Sequence, residues 1–119
     1  MRAITDVAED RRAKMLSQFF LQEMMRRDAD ALRFILKHKE GRWFLQRLLE
    51  QTMVTGEVFT GNSTTFYNEG KRHMGITLLE NIRSLGKEAI LLRQKGELEY
   101  EEAKLKANEL ALELMDKED

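Results

Sequence analysis

The sequence predicts an all-α protein, a small helical bundle with a long C-terminal helix. Three observations carry that expectation. The 119 residues contain no proline, and only Gly86 and Gly96 interrupt the chain outside its central stretch. The long spans are filled with Ala, Leu, Glu, Lys, Arg, Gln and Met, the residues that lose least on entering a helix. Apolar residues recur three and four apart through most of the chain, the spacing that places side chains on one helical face.

The elements follow in order. A first amphipathic helix occupies residues 1–27. Asp6 and Glu9 have capping-box spacing, and Ala13, Met15, Leu16, Phe19, Phe20 and Met24 form its stripe. Residues 28–86 form a central helical core with a Gly-rich loop. Asp28 and Asp30 offer a second cap before a short helix with Leu32, Ile35 and Leu36 inward. His38-Lys39-Glu40-Gly41 reads as a tight link. A helix over about 40–53 follows, with Phe44, Leu45, Leu48 and Leu49 inward and Trp43 on its flank. The stretch from Glu40 to Leu79 holds the sole Trp and most of the glycines. Its loop, Thr55 to Thr65, carries Val58 and Phe59, which are expected to fold over the bundle. Gly56 and Gly61 there supply unusual backbone conformations. Asn62, Ser63 or Thr64 caps the next helix, whose stripe is Phe66, Met74, Leu78, Ile82 and Leu85. Gly70 and Gly75 within it suggest close approach by a bulky group such as Trp43, and Gly86 and Gly96 mark kink points.

Residues 87–119 form an acidic C-terminal segment, one helix or two. Leu91, Leu98, Leu105 and Leu112 fall seven apart, and Tyr100, Ala103, Ala107, Leu110 and Leu114 run beside them. Together these lines resemble a coiled-coil or bundle seam. The row either packs on its own domain or meets a second subunit. Charge divides along the same boundary. Residues 1–53 carry eleven Lys/Arg against eight Asp/Glu, whereas residues 96–119 carry three against nine. An acidic segment of this kind is a solvated face, or it docks on a basic surface of a partner or of its own body.

Several chemistries are excluded or disfavoured. The chain has no Cys, so disulfides and thiolate metal sites are ruled out. The N-terminus lacks the apolar core of a signal peptide, and no apolar run reaches the ~18 residues a membrane span needs. Synthesis in a bacterial cytoplasm fits both. His38 and His73 lie far apart without nearby ligands, so no metal is expected. Ser63, Glu69 and His73 share one helix and its cap and cannot converge as a triad. Glu97, Glu99, Glu101 and Glu102 read as a solvated acidic run, and Glu69 as a brace for the loop. No catalytic residues and no cofactor are expected. Candidate phosphate or anion contacts are Arg42, Arg47, Ser63, Lys71 and Arg72, with Arg83 nearby and with Trp43 and Tyr67 as stacking surface for bases.

One motif is more specific. Gly41-Arg42-x-x-Leu45-x-x-Leu48-Leu49-Glu50 is followed by Phe59-Thr60-Gly61-Asn62-Ser63-x-Thr65-Phe66-x-Asn68-Glu69-Gly70-x-Arg72-x-x-Gly75. Over about Asp28 to Leu85 the chain resembles a family of short proteins encoded among the head and portal genes of short-tailed bacteriophages, of the Bordetella phage type. The resemblance implies a virion-associated structural protein without catalytic residues, and the expectation built on it is a non-enzymatic, oligomeric protein made in the host cytoplasm and placed at the portal or in the internal core that accompanies DNA ejection. Its partners would be further copies of itself and other virion proteins such as portal or core proteins. Leu91, Leu98, Leu105 and Leu112 lie outside the resemblance, and their spacing makes them the residues expected at that contact. A head–tail connector or adaptor is a second structural form. A small DNA-binding packaging or regulatory accessory is the competing class.

Overall fold

The structure is a computed structural model that describes residues 4–52 and 63–118, with side chains from residue 67 onward in the second stretch. The described residues form four helices and no strand: α1 Ile4–Lys37, α2 Lys39–Gln51, α3 Ser63–Ser84 and α4 Lys87–Glu118. The all-α class and the long C-terminal helix expected from the sequence are both present. The Gly56, Val58, Phe59, Gly61 and Asn62 part of the central loop lies outside the described residues.

The chain divides into two compact units, Met1–Leu32 and Arg33–Asp119. The described part of the first unit is helical throughout. Asp28 and Asp30 do not start a new helix, because nothing there breaks the old one and Asp30 is engaged along its surface. Arg26 donates to Asp30 at 3.0 Å and to Glu23 at 2.6 Å, and Arg27 donates to Glu23 at 3.1 Å. These are the three- and four-residue spacings at which opposite charges meet on a helix. Asp6 lies within the first turn of α1 and not ahead of it, so the Asp6–Glu9 spacing does not cap that helix.

The second unit holds the core. α2 packs along α4, and α3 lies against α4 and touches α2. Leu36 and Ile82 are fully buried, joined by Leu45, Leu49, Ala89 and Tyr100. Burial of a Leu or Ile side chain contributes about 1.5–3 kcal/mol. The buried face of α2 is Arg42, Leu45, Gln46 and Leu49, an i, i+3, i+4, i+7 stripe. Phe44 and Leu48, expected inward, are exposed instead. The face is rotated so that a charged side chain occupies the position where an apolar one was expected. On α3, Ile82 is buried whereas Met74 is exposed.

One residue separates α1 from α2. His38 adopts an extended conformation (φ −109°, ψ 137°), and its Nδ1 lies 2.7 Å from the Phe34 carbonyl. That side chain donates to a carbonyl left free at the end of α1. The reversal is so tight that a Cβ on Gly41 would collide with the Ile35 carbonyl oxygen. Gly41 therefore belongs to α2 and permits the close crossing, where the sequence suggested a linker residue. Between α3 and α4, Gly86 takes φ +104°, a left-handed conformation suited to glycine. Gly96 does not break α4, which is continuous across it.

Candidate functional site

Two features of the second unit stand out: a buried arginine that joins helix ends, and a row of uncovered leucines. The arginine is Arg42. At Gly96 of α4 the missing side chain leaves room for the Arg42 stem, since a Cβ there would lie 3.0 Å from Arg42 Cβ. The stem passes over Gly96 and delivers the guanidinium to Glu99, one turn further on. Nε donates to Glu99 Oε1 at 2.7 Å and Nη2 to Oε2 at 3.2 Å, a paired fork that matches carboxylate geometry. Nη1 donates to the Leu36 carbonyl at 2.9 Å, in the last turn of α1. The Arg42 guanidinium thus ties α1, α2 and α4 together.

Electrostatics follow from the pairing. The Arg42 hydrogen bonds, opposed by partial burial, hold the Glu99 carboxyl below the usual carboxylate range, and Lys95 and Lys39 add to the effect. Hydrogen bonding to Glu99 raises the Arg42 pKa in turn. Glu99 is therefore not part of a solvated acidic run like its neighbours Glu97, Glu101 and Glu102. It lies beside a groove of about 480 Å³ walled by Lys39, Glu40, Trp43, Glu102, Ala103 and Lys106. A carboxylate fixed in its ionised form by a buried arginine has no proton to give at neutral pH.

Tyr100 adjoins the same arrangement. Arg47 Nη1 donates to its hydroxyl at 3.1 Å, Trp43 packs on its ring at 5.2 Å between centroids, and Lys104 Nζ lies 4.8 Å from the ring centre. Trp43 thus meets Tyr100. Gly70, one of the two glycines suggested as its neighbours, has nothing within 4 Å of where a Cβ would stand, whereas the other, Gly75, is buried.

The anion-contact candidates divide between these elements. Arg42 and Arg47 are both drawn onto α4, at Glu99 and Tyr100. Lys71 and Arg72 lie on α3, where Lys71 Nζ sits 4.4 Å over the Tyr67 ring and the buried Arg72 Nε has no hydrogen-bond partner among the described residues. Ser63 is the first residue of α3, and its side chain lies outside the description. No cluster of His, Asp or Glu suited to a metal occurs among the described residues.

Leu91, Leu98, Leu105 and Leu112 share one face of α4 and are 53–63% exposed. The opposite face is buried as far as Tyr100. From Lys104 to Glu118 every residue is exposed, including Leu110, Leu114 and Met115. Sequence spacing revealed the leucine row. It did not reveal the Arg42–Glu99 clasp, for which the only local signals are a glycine three residues before a glutamate and a charged residue within an apolar stripe.

Fold and site together define a small all-α protein whose distinctive chemistry is the tethering of helices and an uncovered apolar row. The chain belongs to the family of Bbp19-like phage proteins, whose sequence profile matches residues 32–94. The match covers the end of α1, all of α2 and α3 and the start of α4, stopping just before Gly96. No curated protein and no solved structure matches the chain.

Proposed function

We propose that this phage protein is a non-enzymatic structural component of the virion that acts as an oligomer, at the portal or in the internal core that serves genome ejection. The exposed leucine row of α4 carries the reading. Four leucines at heptad spacing give a narrow apolar seam of the kind that pairs with another helix. The rest of the second unit supports a scaffold role, since Arg42, the one charged residue buried as a whole among the described residues, is used to fix helices to each other. No helix among the described residues is long and apolar enough to cross a membrane.

Sedimentation of the full chain tests the association step. The wild type is expected as an oligomer, and a chain with Leu105→Glu and Leu112→Glu is expected as a single copy with unchanged helix content. A wild type that stays single at micromolar concentration sinks the proposal. Mass spectrometry of purified virions tests the location. A head–tail connector is the same proposal at another position. The DNA-binding reading retains Arg47, Lys71 and Arg72, but Arg42 is taken up inside the fold. A salt-sensitive shift of duplex DNA that vanishes when Arg47, Lys71 and Arg72 become Ala would favour it.

A further inference from the structure

Two helical faces in this chain share one spacing over four positions, Ala8, Arg11, Arg12 and Met15 against Leu98, Glu101, Glu102 and Leu105, with opposite charge. On α1, Ala8, Arg11, Arg12, Met15, Leu16 and Phe19 line one shallow groove, and Met15 and Phe19 are exposed. On α4, Leu98, Glu101, Glu102, Leu105, Glu109 and Leu112 follow one another along the outer face, all exposed. In the first set an arginine pair precedes an apolar residue by three and four positions. In the second a glutamate pair does the same. The surrounding segments keep the contrast: residues 11–27 hold five Lys/Arg against one Asp/Glu, and residues 101–118 hold three against six.

We infer that these faces are the two halves of one contact between copies of this chain. The Met15–Phe19 face of α1 seats the Leu98–Leu105–Leu112 row of a second copy, with Arg11 and Arg12 against its Glu101, Glu102 and Glu109. The inference rests on the self-association proposed above and specifies its geometry. Apolar residues supply the attraction, and the flanking charges set register and partner, as they do beside a coiled-coil seam. Glu101 already pairs with Lys104 at 2.8 Å, but both are about half exposed, and such a pair contributes little and exchanges readily. Because the two surfaces differ, the contact either closes at once as a two-fold pair, each copy's α1 face on the other's α4 face, or runs head-to-tail. The head-to-tail form leaves one free face of each kind at the ends of any open chain, so it propagates until the rotation closes a ring.

The absence of cysteine makes the pairing directly testable in the full chain. Two single variants, Phe19→Cys and Leu105→Cys, are mixed under mild oxidation. The mixed disulfide is expected to form severalfold faster than either like-with-like disulfide. Both sites are exposed, so folding is preserved, and circular dichroism checks it. A charge swap gives a second readout. Arg11→Glu with Arg12→Glu should weaken self-association about tenfold, about 1.4 kcal/mol. Adding Glu101→Arg and Glu102→Arg to the same chain should restore it. Like-with-like disulfides dominating, or a swap that fails to restore association, overturns the pairing while leaving the oligomer intact. A double-cysteine chain that closes on itself as a single copy also overturns it. A wild type that sediments as one copy removes both the pairing and the oligomer it rests on.

Discussion

Removing the Arg42 guanidinium leaves the Glu99 carboxylate and the Leu36 carbonyl without their donors in a half-dry site. Loss of one partner from a buried pair costs about 3 kcal/mol, most of it from the charge left behind. Arg42→Ala should therefore lower the unfolding free energy measured by urea titration by that order, and changing Glu99 to Gln in the same chain should recover part of the loss. Acid gives a second measure. Glu99 titrates below its ordinary value of 4.5 when folded, so its contribution is complete above that value and is lost as pH falls through the lowered one. The stability difference between wild type and Glu99→Gln should be full at neutral pH and shrink below pH 4.5. Gly96→Ala sets two effects against each other. Helix propensity favours alanine by up to about 1 kcal/mol. The new Cβ, however, would stand 3.0 Å from Arg42 Cβ, whose guanidinium is held at three points and cannot shift without losing bonds. A net loss of thermal stability is expected. The clasp was hidden in the sequence because its partners lie 57 residues apart, and no local pattern reports which arginine will be buried.

α4 contains two different environments along one helix. Through Tyr100 one side is covered by α2 and α3, whereas beyond Ala103 it has no covered side. Amides of residues 104–118 should exchange rapidly in a dilute single copy, and those around Ala89 and Gly96 slowly. If association covers the tip, its protection should rise with protein concentration while that of the inner part stays constant. Leu105→Glu should leave single-copy stability within about 0.5 kcal/mol and act on association alone. Helix positions were largely legible in the chain, because three- and four-residue periodicity and the absence of proline act locally. Two details were not. Asp28 and Asp30 look like cap residues, yet an Arg26 one turn earlier uses Asp30 on the helix surface, so α1 runs on. α2 shows four apolar residues that suit a core, but the packing selects Leu45 and Leu49 with Arg42 and Gln46 and leaves Phe44 and Leu48 outside. Which side of an amphipathic helix faces inward depends on what α4 offers opposite, and that is not written in α2 itself.

At the scale of the whole molecule, the family match and the clasp divide the chain differently. The match ends at Gln94, while Gly96, Glu99 and Tyr100, which complete the Arg42 site, come just after it. A chain cut at Lys95 would therefore lose its core partners together with Leu98, Leu105 and Leu112, and its failure to assemble would say nothing about assembly. Point changes on the outer face of α4 are the informative ones. Self-association also predicts a melting temperature that climbs as the protein is concentrated, because only the folded state binds a neighbour. The placement of Trp43 supplies a means of following this. It is the only indole in the chain and packs, tilted, against Tyr100 next to the residue that bonds Arg42. Its fluorescence arises from one known location, so a red shift or a change in tyrosine-to-tryptophan energy transfer reads the opening of this junction optically, with no dye attached.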